Sequence, residues 1–241
     1  MRIDKLLAHS GYGTRKQVRQ FIKKGFVKVD DEIVTNHGFH VDPKESTVTV
    51  KGEIVHYEKF VYLMLNKPAG YISATYDREH LTVLDLVPSK YRHYNLAPVG
   101  RLDIDTEGFI LLTNDGKLNH FITSPKQSIW KTYEAVISGT ITDEDIDLFK
   151  RGIILDDGYK TQPAKLNVLQ CEESSSLLRI SITEGKFHQV KRMFRAIDRE
   201  VIYLKRTKIG ELKLDERLEL GKVRPLNKKE MEWIDRIKEG E

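Results

Sequence analysis

The sequence predicts an α+β chain in which a small helix-led domain precedes a larger domain built on a mainly antiparallel sheet. Three observations carry this expectation. The first sixty or so residues pass from helix-period apolar spacing into short alternating strands. Beyond them, strand-like runs outnumber helical ones, and the two do not alternate in the regular order a parallel sheet requires. The length of 241 residues suits two domains of ordinary size.

The elements follow in order. Ile3, Leu6 and Leu7 predict a first short helix. Thr14 and Gln17 have capping-box spacing and open a second helix, which Gly25 stops by taking a left-handed conformation. Val18, Phe21 and Ile22 give that helix an apolar face, while Arg15, Arg19 and Lys23 recur every fourth residue as a cationic stripe. FVKVDDEIVT and TVTVKGEIV alternate like strands around the turn signals Asp30-Asp31 and Lys51-Gly52. The junction is expected within residues 52–62, where there is no Ser/Gly/Pro-rich linker, giving domains 1–58 and 59–241. In the second domain VYLML, FILLT, YEAVISG, LLRISIT and VIYLKRTKIG read as strands. Helices are expected at about 142–151, between a Thr142 cap and a Gly152 stop, at 187–197, and at 227–238, where Asn227 and Glu230 repeat the capping-box spacing. Asn114-Asp115-Gly116 reads as a turn.

The net charge is only +4, but it is unevenly placed. Residues 1–28 carry +7 and residues 186–208 carry +6, so the remainder is acidic. Two basic regions far apart in sequence point to a polyanion such as nucleic acid, with an ordinary solvated surface as the alternative. No apolar run approaches the length a membrane helix needs. Charge at Asp4 and Lys5 interrupts any leader-like start, so the cytoplasm is the expected compartment. The single cysteine, Cys171, can form no internal disulfide and is expected to be a half-buried structural thiol. The eight histidines show no H-x-x-x-H spacing and have no cysteine partners, so no metal is expected.

The segment least like ordinary core is Gly100-Arg101-Leu102-Asp103-Ile104-Asp105-Thr106-Glu107-Gly108, where two glycines bracket three carboxylates ahead of a strand. From the residues alone two readings stand side by side. Asp103 and Asp105 could be the paired carboxylates of a glycosidase. Alternatively, Asp105 and Glu107 cap or solvate a turn.

The N-terminal stretch RIDKLLAHSGYGTRKQVRQFIKKGFVKVD, with its helix, basic helix and short strands, resembles the S4 RNA-binding domain. That resemblance implies phosphate contacts from Arg15, Lys16, Arg19, Lys23 and Lys24, in keeping with how A-form RNA is gripped through its backbone. GRLDIDTEGFILLTNDG resembles the signature loop of the RNA pseudouridine synthases that carry an N-terminal S4 domain. Three further stretches agree in order: LNKPAGYIS at 65–73, KTYEAVISG at 131–139 and ITEGKFHQVKRMF at 182–194. The last, with His188, is most similar to the bacterial branch acting on small-subunit ribosomal RNA.

The resemblance implies that Asp103 is the catalytic aspartate, that Tyr133 is a flat surface for a flipped base and a possible proton carrier, and that Lys191 is a cation near the carboxylate. Arg101 is a candidate for the residue entering the RNA stack or holding a phosphate, and Lys67 and Pro68 are candidates to shape the site floor, Pro68 being equally a rigid strand end. The expected activity is isomerisation of one uridine in 16S ribosomal RNA by an aspartate with base flipping, with no cofactor, in a cytoplasmic monomer involved in ribosome biogenesis. Its substrate is free RNA or an assembling particle. The alternatives are a large-subunit (23S) enzyme of the same family and a non-catalytic S4-type ribosome-assembly protein. Asp103 could attack the base at C6, attack C1′, or take the C2′ proton; these three remain open.

Overall fold

The computed structural model describes residues 1–240. They form two compact units. The first holds Met1–Val61 and Pro88–Leu96, and the second holds Tyr62–Val87 and the chain from Ala97 onward. The first break thus lies at 61/62 rather than 58/59, and a nine-residue segment of the expected second domain goes with the first. The reason is local. The ring of Tyr94 meets that of His9 edge-on at 5.8 Å, and His93 lies close over Gly11.

In the first unit α1 (Ile3–His9) and α2 (Arg15–Lys23) precede β1 (Val27–Val29), β2 (Glu32–Ile33), β3 (Val48–Val50) and β4 (Glu53–Ile54). The strands form an antiparallel sheet in the order β2-β1-β3-β4. Ile3, Leu6 and Leu7 of α1 and Val18 and Ile22 of α2 pack into one core with Val27, Val29, Val48 and Val50. The capping box at Thr14 forms in both directions, so α2 starts where its spacing predicts.

The second unit contains β5 (Tyr62–Lys67), β6 (Ala97–Val99), β7 (Glu107–Thr113), α3 (Gly116–Thr123), β8 (Lys131–Ser138), α4 (Asp143–Arg151), β9 (Lys165–Cys171), β10 (Ser175–Ile182), α5 (Gln189–Arg195), β11 (Val201–Ile209), β12 (Leu212–Lys213), β13 (Val223–Pro225) and α6 (Lys228–Glu239). Its sheet runs β13-β5-β7-β11-β8-β10-β9, with β6 added on β7 and β12 on β11. Every pairing is antiparallel except β7 with β11. Central β5 and β7 are buried on both faces and so read as unbroken apolar runs, whereas β8 and β10 alternate because one face is more open.

Further features differ from expectation, among them the short added strands β6, β12 and β13. Asp115 is the N-cap of α3, accepting from the Leu118 amide at 3.2 Å, so the anticipated turn is a helix start. The helix expected from 187 begins only at Gln189, because His188 takes a left-handed φ of 49°. Strand β9, not anticipated, lies at the sheet edge with only Leu166 buried. Cys171 at its end is therefore exposed, not half-buried.

Candidate active site

Three strands set the frame. The parallel register of β7 and β11 puts Gly108 beside Arg206, and the antiparallel register of β11 and β8 puts Arg206 beside Tyr133. A β-carbon at Gly108, where φ is 100°, would overlap the Arg206 carbonyl oxygen. Only glycine allows the two strands this approach, so the loop preceding β7 enters the sheet in register with Arg206 of β11 and, one strand further, Tyr133 of β8.

That loop is tied down through its backbone. Lys67 is fully buried, and its ammonium donates to the carbonyls of Thr106 at 2.7 Å, Asp103 at 3.0 Å, Pro68 at 3.1 Å and Ile104 at 3.2 Å. Ser73 Oγ accepts from the Leu102 amide at 2.9 Å and donates to the Leu102 carbonyl at 3.0 Å. Arg206, also buried, donates through Nε to the Phe109 carbonyl at 2.8 Å. With its main chain held on both sides, Asp103 presents a carboxylate that is 27% exposed.

A cavity of about 670 Å³ opens in front of it, lined by Asp103, Arg101, Tyr133, Lys131, Lys191 and Arg206 among others. Pockets of roughly 300–1,000 Å³ are typical for small ligands. Tyr133 is buried and Arg101 exposed, and both line this cavity. Lys191 Nζ lies 3.6 Å from Asp103 Oδ2, and His188 Nε2 lies 3.7 Å from Asp103 Oδ1. The tighter partner of Lys191 is Asp105, at 2.6 and 2.7 Å from its two oxygens. Burial works against ionising Asp105, but the hydrogen bond and charge of Lys191 outweigh it and hold the carboxyl below its usual range. Asp105, largely exposed on its turn, is thus also the close ionic partner of Lys191.

Sequence reasoning missed two cations of this cavity, the half-buried Lys131 and the buried Arg206. Lys131 donates to the Thr183 carbonyl at 3.2 Å, and burial, with the nearby charge of Arg206, pushes it down to about 8. Arg206 leaves its buried Nη2 without a hydrogen-bond partner. The available signal was period two: in VIYLKRTKIG, Leu204 and Arg206 share the inward face.

On the first unit Arg15, Lys16, Arg19, Lys23 and Lys24 are all exposed. Two of them are not free to sweep solvent. Asp4 is fully buried, and its carboxylate accepts from Arg15 at 3.0 Å, from Arg19 at 3.1 Å and from Arg2 at 3.0 Å. Burial opposes its ionisation, yet the hydrogen bonds of Arg15 and Arg19 and the nearby positive charges keep its carboxyl below the ordinary range.

Residues 61–196 match the model for the family described as RNA pseudouridylate synthase, and residues 1–46 match the S4 domain. The chain belongs to the RNA pseudouridine synthases. This pseudouridine synthase is 46% identical to the uncharacterised RNA pseudouridine synthase YtzG of Bacillus subtilis, covering 98% of each chain. It is 37% identical to the ribosomal small subunit pseudouridine synthase A of Escherichia coli, over 96% of this chain and 98% of the relative. A crystal structure of a pseudouridylate synthase, 35% identical, superposes with a TM-score of 0.67 over 96% of this chain and 98% of that one. The fold of this enzyme is accordingly an S4 domain followed by the mixed, mainly antiparallel pseudouridine synthase fold.

Proposed function

We propose that this enzyme isomerises one uridine of small-subunit (16S) ribosomal RNA to pseudouridine, with Asp103 as the acting carboxylate. The observation that carries the proposal is Asp103 itself: a partly exposed carboxylate on a loop fixed through its backbone, 3.6 Å from Lys191 and lining one cavity with Tyr133. The small-subunit assignment draws support from the similarity to ribosomal small subunit pseudouridine synthase A and from His188 in the HQVK stretch.

The chemistry is balanced within the substrate. The N1–C1′ bond breaks, the base turns, the C5–C1′ bond forms, and the proton lost from C5 is matched by one gained at N1. Nothing is oxidised or reduced, so a carboxylate acting as nucleophile or base suffices, and no cofactor is called for. Lys191, held by Asp105, places its positive charge 3.6 Å from the Asp103 carboxylate, where charge developing on the substrate would meet it. Tyr133 offers a flat wall to a base turned out of the stack, and Arg101, exposed at the cavity, takes the vacated position or a phosphate. The first unit holds structured RNA through Arg15, Lys16, Arg19, Lys23 and Lys24, while the second carries the chemistry. No helix among the described residues is long and apolar enough to cross a membrane. We take the enzyme to act as a cytoplasmic monomer.

Mapping pseudouridine across 16S ribosomal RNA in cells with the wild-type gene, without it, and with Asp103→Asn tests the proposal. One site should vanish in both the deletion and the variant, while Asp103→Asn still binds RNA. An unchanged map in the deletion overturns the substrate, and full conversion by Asp103→Asn overturns the role of Asp103.

A further inference from the structure

Phe187 is 76% exposed, yet it lines the same cavity as Asp103. Its ring stacks on that of His188, with centroids 3.8 Å apart and planes inclined by 18°. Consecutive side chains seldom stack in this way. They do so here because His188 takes φ 49° and ψ 32°, a left-handed conformation that a non-glycine residue adopts only when its surroundings enforce it.

The surroundings do enforce it. Gln189 is buried; its side chain accepts from the Lys186 amide at 2.8 Å and donates to Glu184 at 2.8 Å. Glu184, buried in turn, also accepts from the Tyr159 hydroxyl at 2.7 Å and from the Gln162 amide at 2.8 Å. A locked turn therefore holds an aromatic ring out in water, with one face covered by an imidazole and the other open.

We propose that Phe187, backed by His188, is a stacking platform for the nucleobase that flanks the target uridine in the RNA. The inference rests on the reading of the cavity as the uridine site. When a uridine leaves its stack, the neighbouring base loses a stacking partner. An exposed aromatic ring at the cavity wall supplies another, and it tolerates any base because every base has a π-face. His188 sets the distance: its ring stacks on Phe187 and its Nε2 lies 3.7 Å from the Asp103 carboxylate. A base lying on Phe187 is thus a neighbour of the one facing Asp103. The cationic lining from Arg101, Lys131, Lys191 and Arg206 selects a polyanion over an apolar peptide.

The test is a binding cycle between protein and RNA. Short RNA oligonucleotides with a single uridine carry either a normal base or an abasic site on its 5′ or 3′ side, and are titrated with wild type, Phe187→Ala and Phe187→Trp. Stacking on aromatic side chains is worth enough for Phe187→Ala to weaken binding about tenfold. An abasic site on one side should weaken wild type to the same degree and leave Phe187→Ala unaffected, while Phe187→Trp restores the wild-type pattern. Equal affinities for wild type and Phe187→Ala, or an abasic penalty that persists in Phe187→Ala, overturn the platform. Pseudouridine formation by wild type but not by Asp103→Asn, measured alongside, keeps that outcome separate from failure of the uridine-site reading, which conversion by Asp103→Asn would reveal.

Discussion

Lys67 shows how much a single buried charge can organise. Four carbonyls converge on one ammonium that has three protons, so two of them share a donor. Burial pushes this lysine from 10.5 down to about 8, against the pull of Asp105, Glu107 and Asp103. As pH rises through 8 the clasp loses a donor and the loop that presents Asp103 loosens. We therefore expect kcat/KM to fall above about pH 8, a limb that Lys131→Arg should retain and Lys67→Arg should lose in a pH–rate profile. Stability moves the other way. The unfolded chain binds more protons than the folded one between about 8 and 10.5, so the penalty of burying this lysine eases as pH climbs through that window. Activity and thermal stability should then diverge on the alkaline side. In the sequence, Asn66-Lys67-Pro68 points to the site floor, but not to a lysine that binds carbonyls: a one-dimensional pattern does not say which charges are buried. Gly108 is a related case. Replacing it with alanine should cost about 1–3 kcal/mol from its backbone conformation alone, with the overlap on Arg206 added, and should appear as a lower Tm together with lost activity.

At the scale of elements, helix starts were the most legible features because caps are local chemistry. Thr14, Thr142 and Asn227 each cap the helix their spacing announces. The start of α5 was not legible, since His188 is held at positive φ by Glu184 and Gln189 through contacts no helical period encodes. The cationic stripe on α2 was visible from its four-residue recurrence, but its partner on α1 was not. Asp4 gathers Arg2, Arg15 and Arg19 into a cluster with net positive charge and fixed guanidinium planes. This makes Asp4→Asn informative, because two effects oppose each other in sign. The variant gains a positive charge, which alone would tighten RNA binding and steepen its salt dependence. It also releases three guanidiniums whose fixed geometry suits bidentate phosphate contact. If positioning dominates, RNA affinity falls despite the added charge, and stability drops by about 1–3 kcal/mol. A filter-binding salt titration beside a thermal melt reads both, and tighter binding would show that charge alone governs this face.

For the whole molecule, the α+β class and the mainly antiparallel sheet were legible because strand periodicity survives any arrangement of the parts, while the order of the two families was legible only through the motif stretches that resemble them. The one parallel pairing was not, because β7 and β11 are separated by about ninety residues and pair over a short stretch, Glu107 and Gly108 beside Lys205 and Arg206. Nor was the path of the chain between its two units, since Ser89–Tyr94, a short 3₁₀ segment, carries no compositional mark of belonging with α1. That path bears on experiments with deleted forms. The chain passes between the units three times, at 61/62, 87/88 and 96/97. Removing residues 1–58 would strip Tyr94, 8% exposed in the intact chain, of its packing against His9, so substitutions on α2 are the cleaner probe of RNA contacts. A single protease cut near residue 61 should have the complementary outcome. The N-terminal piece stays docked on Pro88–Leu96, which is still covalently part of the larger fragment, so the nicked enzyme should elute as one species in native buffer and separate into two only in denaturant. The excursion thus works as a tether that survives scission, keeping the two halves in one particle after the covalent link at their boundary is gone.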